Sequence, residues 1–320
     1  MCNRISSKLN KKNMRYRIAF IIPVHNHLNF TKDCLKVLDH QKDTLFFKSN
    51  DISIVVIDDG SSDGTADWIT KNYPEISVLN GDGNLWYSAS VNMGIKYAFN
   101  NFQSDFIMIW ENDTYPKNGY FNSLQKIIEN WDGNTLICSK LLFRHKPDRI
   151  FGMGGIFDRR TGKKELIGWA ELDGPKYQKD KEVDWFLGIG VMIHRAIIED
   201  VGYLDEKNFP HYHADADYGL RAVNKGYRNV VFHELMLLND IETTGITHKK
   251  DKSFKDFLDS LTSIKSNRNI RRNLIFYRIH TNSILAYLSL IKIYFIYIAS
   301  FLKWKVLGWF GKEKGAENLN

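Results

Sequence analysis

The chain has 320 residues, 43% hydrophobic and 25% charged, which suits a large globular domain with appendages and excludes a disordered or fibrous protein. Its net charge of +7 is concentrated, because Leu261 to Lys312 holds nine Lys and Arg residues and no Asp or Glu. The body is therefore near neutral, which argues against nucleic acid as a partner of the whole chain. Cys2, Cys34 and Cys138 have neither paired nor metal-ligand spacing, which argues against a disulfide framework and for a reducing compartment.

Residues 1–16 are a basic lead-in without the apolar core of a signal peptide. The run "RIAFII" (17–22), ended by Pro23, reads as a buried strand, and Asn29 is the expected cap of the helix that follows. "ISIVVI" (52–57) is a second strand, followed by the turn-rich "DDGSSDGT" and a helix from about Thr65. "ISVL" (76–79) and "FIMIW" (106–110) are further strands, separated by a helix over 88–100. Another helix is expected over 118–130. Short apolar strands alternating with helices predict parallel βαβ units. In such sheets ligands bind beyond the carboxyl ends of the strands, so the loops at Pro23, Asp58 and Glu111 should share one rim.

After residue 135 the pattern changes. "TLICSKLLF" reads as a strand, and "IFGMGGIFDRRTGKKELIG" as a hairpin turning near "RRTG". "FLGIGVMIHRAIIEDVG" predicts a strand and a short helix, "ADADYGLRAVNKGY" a helix and "VVFHEL" a strand. The expected organisation is α/β, with a nucleotide-binding half at 17–134, an α+β half at 135–250, and a helical cationic tail at 251–320.

Four segments then match one family in order: "IIPVHNH", "VVIDDGSSDGT", "NLWYSASVNMGIKYA" with "WENDTYP", and "DWFLGIGVMIHRAIIEDVGYLDEKNFPHYHADADYGLRAVNKGYR". Over roughly residues 17–240 the chain resembles the family 2 inverting glycosyltransferases with the GT-A fold, in particular the bacterial rhamnosyl- and galactofuranosyltransferase-like group. The resemblance implies a nucleotide-diphosphate sugar donor and a divalent metal, Mg²⁺ or Mn²⁺.

Carried over residue by residue, Pro23, Val24 and Asn26 resemble the family's first base-contacting loop. Asp58 and Asp59 leave their strand together, where carboxylates can accept hydrogen bonds from a ribose or base; an ordinary Asp-Gly turn is the alternative. Asn84 and Asn92 match the asparagines of the family's Gly-Asn element, although Trp86 replaces its usual second glycine. In "WENDTY", Asp113 matches the metal-binding carboxylate, with Asn112 and Glu111 beside it. Hard cations share phosphates and waters with one or two carboxylates. Asp215 matches the catalytic base that an inverting transfer needs, with capping of the following helix as the alternative role. Ala214 stands where the family often has a first acid. Asp217 follows, four residues before Arg221, a helical pairing distance. Asp184 and Trp185 resemble the acceptor segment, where the indole would stack on a sugar or simply pack. His248 is the candidate for a later metal-binding histidine, with His233 second.

"SILAYLSLIKIYFIYIASFL" (283–302) is apolar, interrupted by Lys292 and flanked by basic residues. The preferred reading is a helix lying on the anionic inner face of the cell membrane; a single span and packing on the body are alternatives. Such a tail suits a cytoplasmic enzyme acting on a lipid-linked glycan in surface polysaccharide synthesis. The rivals are a sugar-nucleotidyltransferase, which would need a Gly-rich basic phosphate loop that "IIPVHNH" does not supply, and a non-catalytic sugar-binding scaffold.

Overall fold

The structure, a computed structural model, describes residues 14–239 and 253–309. They divide into two compact units, drawn from Met1–Ile156 with Glu165–Thr244 and from Phe157–Lys164 with Gly245–Asn320.

The first unit is built on one large mixed sheet. Its leading half is parallel: β1 (Arg17–Val24) lies between β2 (Asp51–Asp58) and β4 (Phe106–Ile109), and β3 (Ser77–Asn80) extends it beyond β2. The apolar runs become these strands because both faces are covered, as parallel strands require. Phe106, Ile107 and Met108 are fully buried, as are Phe20 and Ile21. The crossovers are α1 (Leu28–Asp39) with α2 (Leu45–Ser49), then α3 (Thr65–Asn72) and α4 (Trp86–Asn101). α4 buries Val91, Ile95, Ala98 and Phe99. Gly94 lets it approach the sheet: an added Cβ would come within 2.5 Å of Ile21 and 2.7 Å of Ile57, closer than packed carbons allow.

Asn29 does not cap α1. The helix begins at Leu28, and His27, in the left-handed region at φ 61°, is its cap residue. The entry loop is instead fixed from β2's side: the Leu28 N–H donates to Asp63 Oδ2 at 2.9 Å.

Beyond β4 come the short β5 (Thr114–Pro116) and α5 (Tyr120–Glu129), then β6 (Thr135–Phe143), β7 (Lys146–Gly152), and the hairpin of β8 (Gly155–Asp158) and β9 (Lys163–Leu166). β10 (Lys181–Val183), β11 (Val191–His194), α6 (Arg195–Val201), α7 (Ala214–Asn224) and β12 (Arg228–Asn239) complete the first unit. β11 inserts antiparallel between β4 and β6, joining both halves into one sheet ordered β10-β12-β6-β11-β4-β1-β2-β3. In the apolar run of β6, Lys140 is a buried exception, paired with Asp173 at 2.9 Å.

The second unit packs α8 (Phe254–Thr262), α9 (Ile270–His280) and α10 (Ile284–Trp309) with the hairpin tip. The Tyr277 hydroxyl donates to the Gly162 carbonyl at 3.0 Å. α10 buries Ala286, Leu290 and Phe301, and the Phe301 ring stacks on Phe257 at 4.2 Å. On another face Ile284, Leu288, Ile291, Phe295, Ile298 and Leu302 are exposed at helical spacing.

Candidate active site

The carboxyl ends of β1, β2 and β4 form a common rim, with Val24 in register with Asp58 and Ile21 with Ile109. β2 and β4 are thus two strand spacings apart, about 10 Å.

The two neighbouring carboxylates at the end of β2 do different work. Asp59 accepts the N–H groups of Gly83 (2.9 Å) and Leu85 (3.2 Å) on Oδ1 and of Trp86 (3.0 Å) on Oδ2. It clamps the loop that opens α4 and holds Trp86 at φ 58°. Asp58 accepts the Ser61 N–H on Oδ1 at 2.7 Å, whereas its buried Oδ2 has no hydrogen-bond partner among the described residues. A buried oxygen in that state costs about 1–3 kcal/mol, a cost that a ligand donor would offset.

Several expected binding residues face inward or are engaged by the protein. Val24 is packed in the core, while Pro23 is half-buried. Asn26 donates its N–H to Ser61 Oγ (2.7 Å) and accepts the Ser62 N–H (2.9 Å), so it ties the two rim loops together. Asn84 is exposed, with its N–H on Asp82. Asn92 is engaged by the protein. Its buried amide donates to the Leu204 carbonyl and Glu206 and accepts the Leu204 N–H, fixing the 204–206 loop. Asn112 donates to Thr31 Oγ1 at 2.9 Å, anchoring the rim loop to α1.

Asp113 is buried, and its Oδ1 accepts from Asn239 at the end of β12 at 3.2 Å. Its neighbour Glu111 has its carboxyl raised well above the usual range, first by burial and then by the charges of Asp113 and Asp215. Asp215 is half-buried in the first turn of α7, whose cap residue is His213. The charges of Asp113 and Asp215 thus both bear on Glu111. Tyr87, from α4, donates to the Gly188 carbonyl at 2.8 Å. Burial pushes its phenol well above the ordinary range, and the charges of Glu111 and Asp215 push the same way. Gly188 has to be glycine: an added Cβ would meet the Tyr87 hydroxyl at 2.2 Å and Asp215 Cβ at 3.5 Å.

Burial corrects the stacking role expected of Trp185, whereas Asp217 makes the pairing with Arg221 that its spacing predicts. Trp185 is 5% exposed, and its ring lies so close to Gly155 that a Cβ there would come within 2.2 Å; it offers no face to a sugar. Asp217 is 1% exposed and pairs with Arg221 at 2.8 Å, while Arg221 also donates to the Val201 and Tyr203 carbonyls. Asp184 is half-buried, with its backbone held by Gly155 and Asn229. His233 pairs with Asp180 at 2.7 Å.

Among the described residues no three His, Cys, Asp or Glu side chains form a complete metal cluster. The buried Asp113 and the half-buried Glu111, whose carboxyl the Asp113 charge helps to raise, nonetheless fit a hard cation that takes its other ligands from phosphate and water. His248 lies outside the described residues. Tyr87 and Gly188 lie inside the matched segments and Asn239 outside them, yet none was singled out in the sequence, because their roles come from chain approach alone.

Residues 19–171 match the model of glycosyl transferase family 2. Over 232 residues the chain is 22% identical to the low-salt glycan biosynthesis hexosyltransferase Agl10 of Haloferax volcanii, covering 69% of this chain and 67% of that protein. Over 203 residues it is 23% identical to the N-acetylglucosaminyl-diphospho-decaprenol L-rhamnosyltransferase of Mycobacterium tuberculosis, covering 56% of this chain and 63% of that one. The chain thus spans about two thirds of the length of these relatives. The structure of GalNAc-T7 with UDP, GalNAc and Mn²⁺ is similar with a TM-score of 0.54 at 11% identity, over 71% of this chain and 44% of that one, a likeness of GT-A fold.

Proposed function

We propose that this chain, a glycosyltransferase of family 2, moves a sugar from a nucleotide-diphosphate donor to a glycan hydroxyl with inversion at the anomeric carbon. The observation that carries this reading is the approach of the Asp215 segment to Gly188 and Tyr87, with the charges of both Asp113 and Asp215 bearing on Glu111 at the rim. Asp58 Oδ2, which has no hydrogen-bond partner among the described residues, would accept from the base or ribose. Asp113, with Glu111 beside it and His248 as a further proposed ligand, would hold Mg²⁺ or Mn²⁺, which supplies positive charge against the departing diphosphate.

Asp215 acts as the base. It takes the proton from the acceptor hydroxyl as that oxygen attacks the anomeric carbon on the face opposite the leaving group. Tyr87, fixed to Gly188, closes the pocket beside it. Rhamnose is the finer reading of the donor sugar, supported by the similarity to an L-rhamnosyltransferase.

The acceptor in this reading is lipid-linked. α10 is long and apolar enough to cross a membrane over Ile284–Lys303, yet only 17% of its most apolar window is buried. With one face packed on α8 and the other apolar and exposed, it suits a helix lying in the anionic inner leaflet.

Asp215→Asn tests the base. Transfer should fall by about 10²–10⁴-fold, with donor affinity unchanged by calorimetry; wild-type turnover would remove Asp215 from this role.

A further inference from the structure

With Trp185 buried, the expected aromatic surface for the acceptor lies elsewhere. Trp169 is 52% exposed. Its ring meets Phe143 and Phe151 edge-on, each at 5.2 Å, and those two rings are 5.5 Å apart. A Trp left this open forgoes much of the roughly 150–250 Å² that such a side chain can bury.

The turn that carries it is held in a costly shape. Gly168 has φ 84° and Ala170 φ 60°; for alanine the left-handed region costs about 1–2 kcal/mol. The Ala170 N–H donates to the Ile150 carbonyl at 2.8 Å, and Arg149 donates to the Ala170 carbonyl at 2.7 Å. These bonds pin the turn to β7 while leaving the indole in solvent. Strain held by surrounding structure is a mark of functional segments.

Two routes connect this aromatic group to the pocket. Phe143 is in register with Asn239, whose amide bonds to Asp113. Phe151 and Leu187 pack on the same core cluster, and Gly152 lies so close to Leu187 that an added Cβ would come within 2.5 Å. Leu187 leads directly to Gly188, the neighbour of Asp215. The platform therefore lies a few strand spacings from both carboxylates, on the order of two or three sugar rings.

We propose that Trp169, backed by Phe143 and Phe151, binds the carbohydrate of the acceptor by stacking on the apolar face of a hexose ring one or two units from the attacking hydroxyl. This rests on the glycosyl-transfer reading above and gives it an acceptor subsite. Arg149, bonded to the Trp169 turn, carries N–H donors at that turn that suit hydroxyls rather than a prenyl chain.

The test titrates the full chain and its Trp169→Ala and Trp169→Phe variants with a panel of soluble hexose di- to tetrasaccharides, with geranyl phosphate as the apolar comparison. At least one oligosaccharide should bind the wild type, and Trp169→Ala should weaken it about fivefold or more, with a smaller loss in Trp169→Phe. Donor hydrolysis without acceptor should be unchanged in both variants, while the melting temperature should fall by a few degrees in Trp169→Ala, which loses the ring contacts to Phe143 and Phe151, and by less in Trp169→Phe. Equal oligosaccharide affinity in wild type and Trp169→Ala overturns the proposal, as does the absence of any oligosaccharide binding. Trp169-dependent binding of geranyl phosphate alone overturns it in favour of a lipid contact. Failure of the glycosyl-transfer reading shows separately, as a wild type that neither hydrolyses nor transfers from any nucleotide sugar, while the titration still decides what Trp169 binds.

Discussion

Asp59→Asn separates a loop clamp from a ligand contact. In the wild type one carboxylate accepts three backbone N–H groups from the 83–86 loop. The Asn carbonyl can keep the bonds to Gly83 and Leu85, each weakened by roughly 1 kcal/mol on loss of the charge. Its amide nitrogen then faces the Trp86 N–H as donor against donor. Leaving that group unsatisfied costs about 1–3 kcal/mol, and Trp86 loses the bond that maintains its φ of 58°. The total is about 3–5 kcal/mol, a large share of a typical folding stability of about 5–15 kcal/mol. The melting temperature should fall on the order of 10 °C, as measured by scanning calorimetry, and donor affinity should weaken as a consequence. An unchanged melting temperature with donor binding lost would refute the clamp and make Asp59 a direct ligand contact.

Other outcomes follow from the pocket and the tail. A carboxyl raised in the folded state favours the fold below its unfolded value and loses that contribution as pH rises through the folded value. In chelator, Glu111→Gln should therefore melt close to the wild type near about pH 4 and above it near about pH 8; equal differences at both pH values would contradict the repulsion from Asp113 and Asp215. The double change Ile291→Asp and Phe295→Asp alters two residues that are 65% and 70% exposed. It should abolish sedimentation with phosphatidylglycerol vesicles while leaving transfer to a soluble acceptor intact, and unchanged sedimentation would refute the interfacial helix.

Much of the first half was legible because its signals are local. Apolar runs ended by Pro23, Asp58 and Glu111 became parallel strands whose ends share a rim. α3 begins at Thr65 as its turn chemistry suggests, and the β8–β9 hairpin turns at the expected "RRTG". The antiparallel insertion of β11 between β4 and β6 has no local signal, since "VMIH" carries no information on which strands it joins. Lys140 was visible as a charge inside an apolar run, but its partner Asp173, 33 residues away, was not.

The sequence by itself determined the βαβ half, the acidic rim and the cationic, apolar tail, because periodicity and turn residues act over a few positions. Only the tertiary structure decided which rim residues are available for chemistry. Asp58 and Asp59 are adjacent and identical in type, yet Asp59 is committed to three N–H groups of a distant loop while one oxygen of Asp58 has no partner among the described residues. Trp185 and Trp169 are likewise the same residue, one packed against Gly155 and the other open to solvent. The physical reason is common to both pairs: hydrogen bonding and burial depend on which chain segments come within a few ångströms, and those segments lie far apart in sequence.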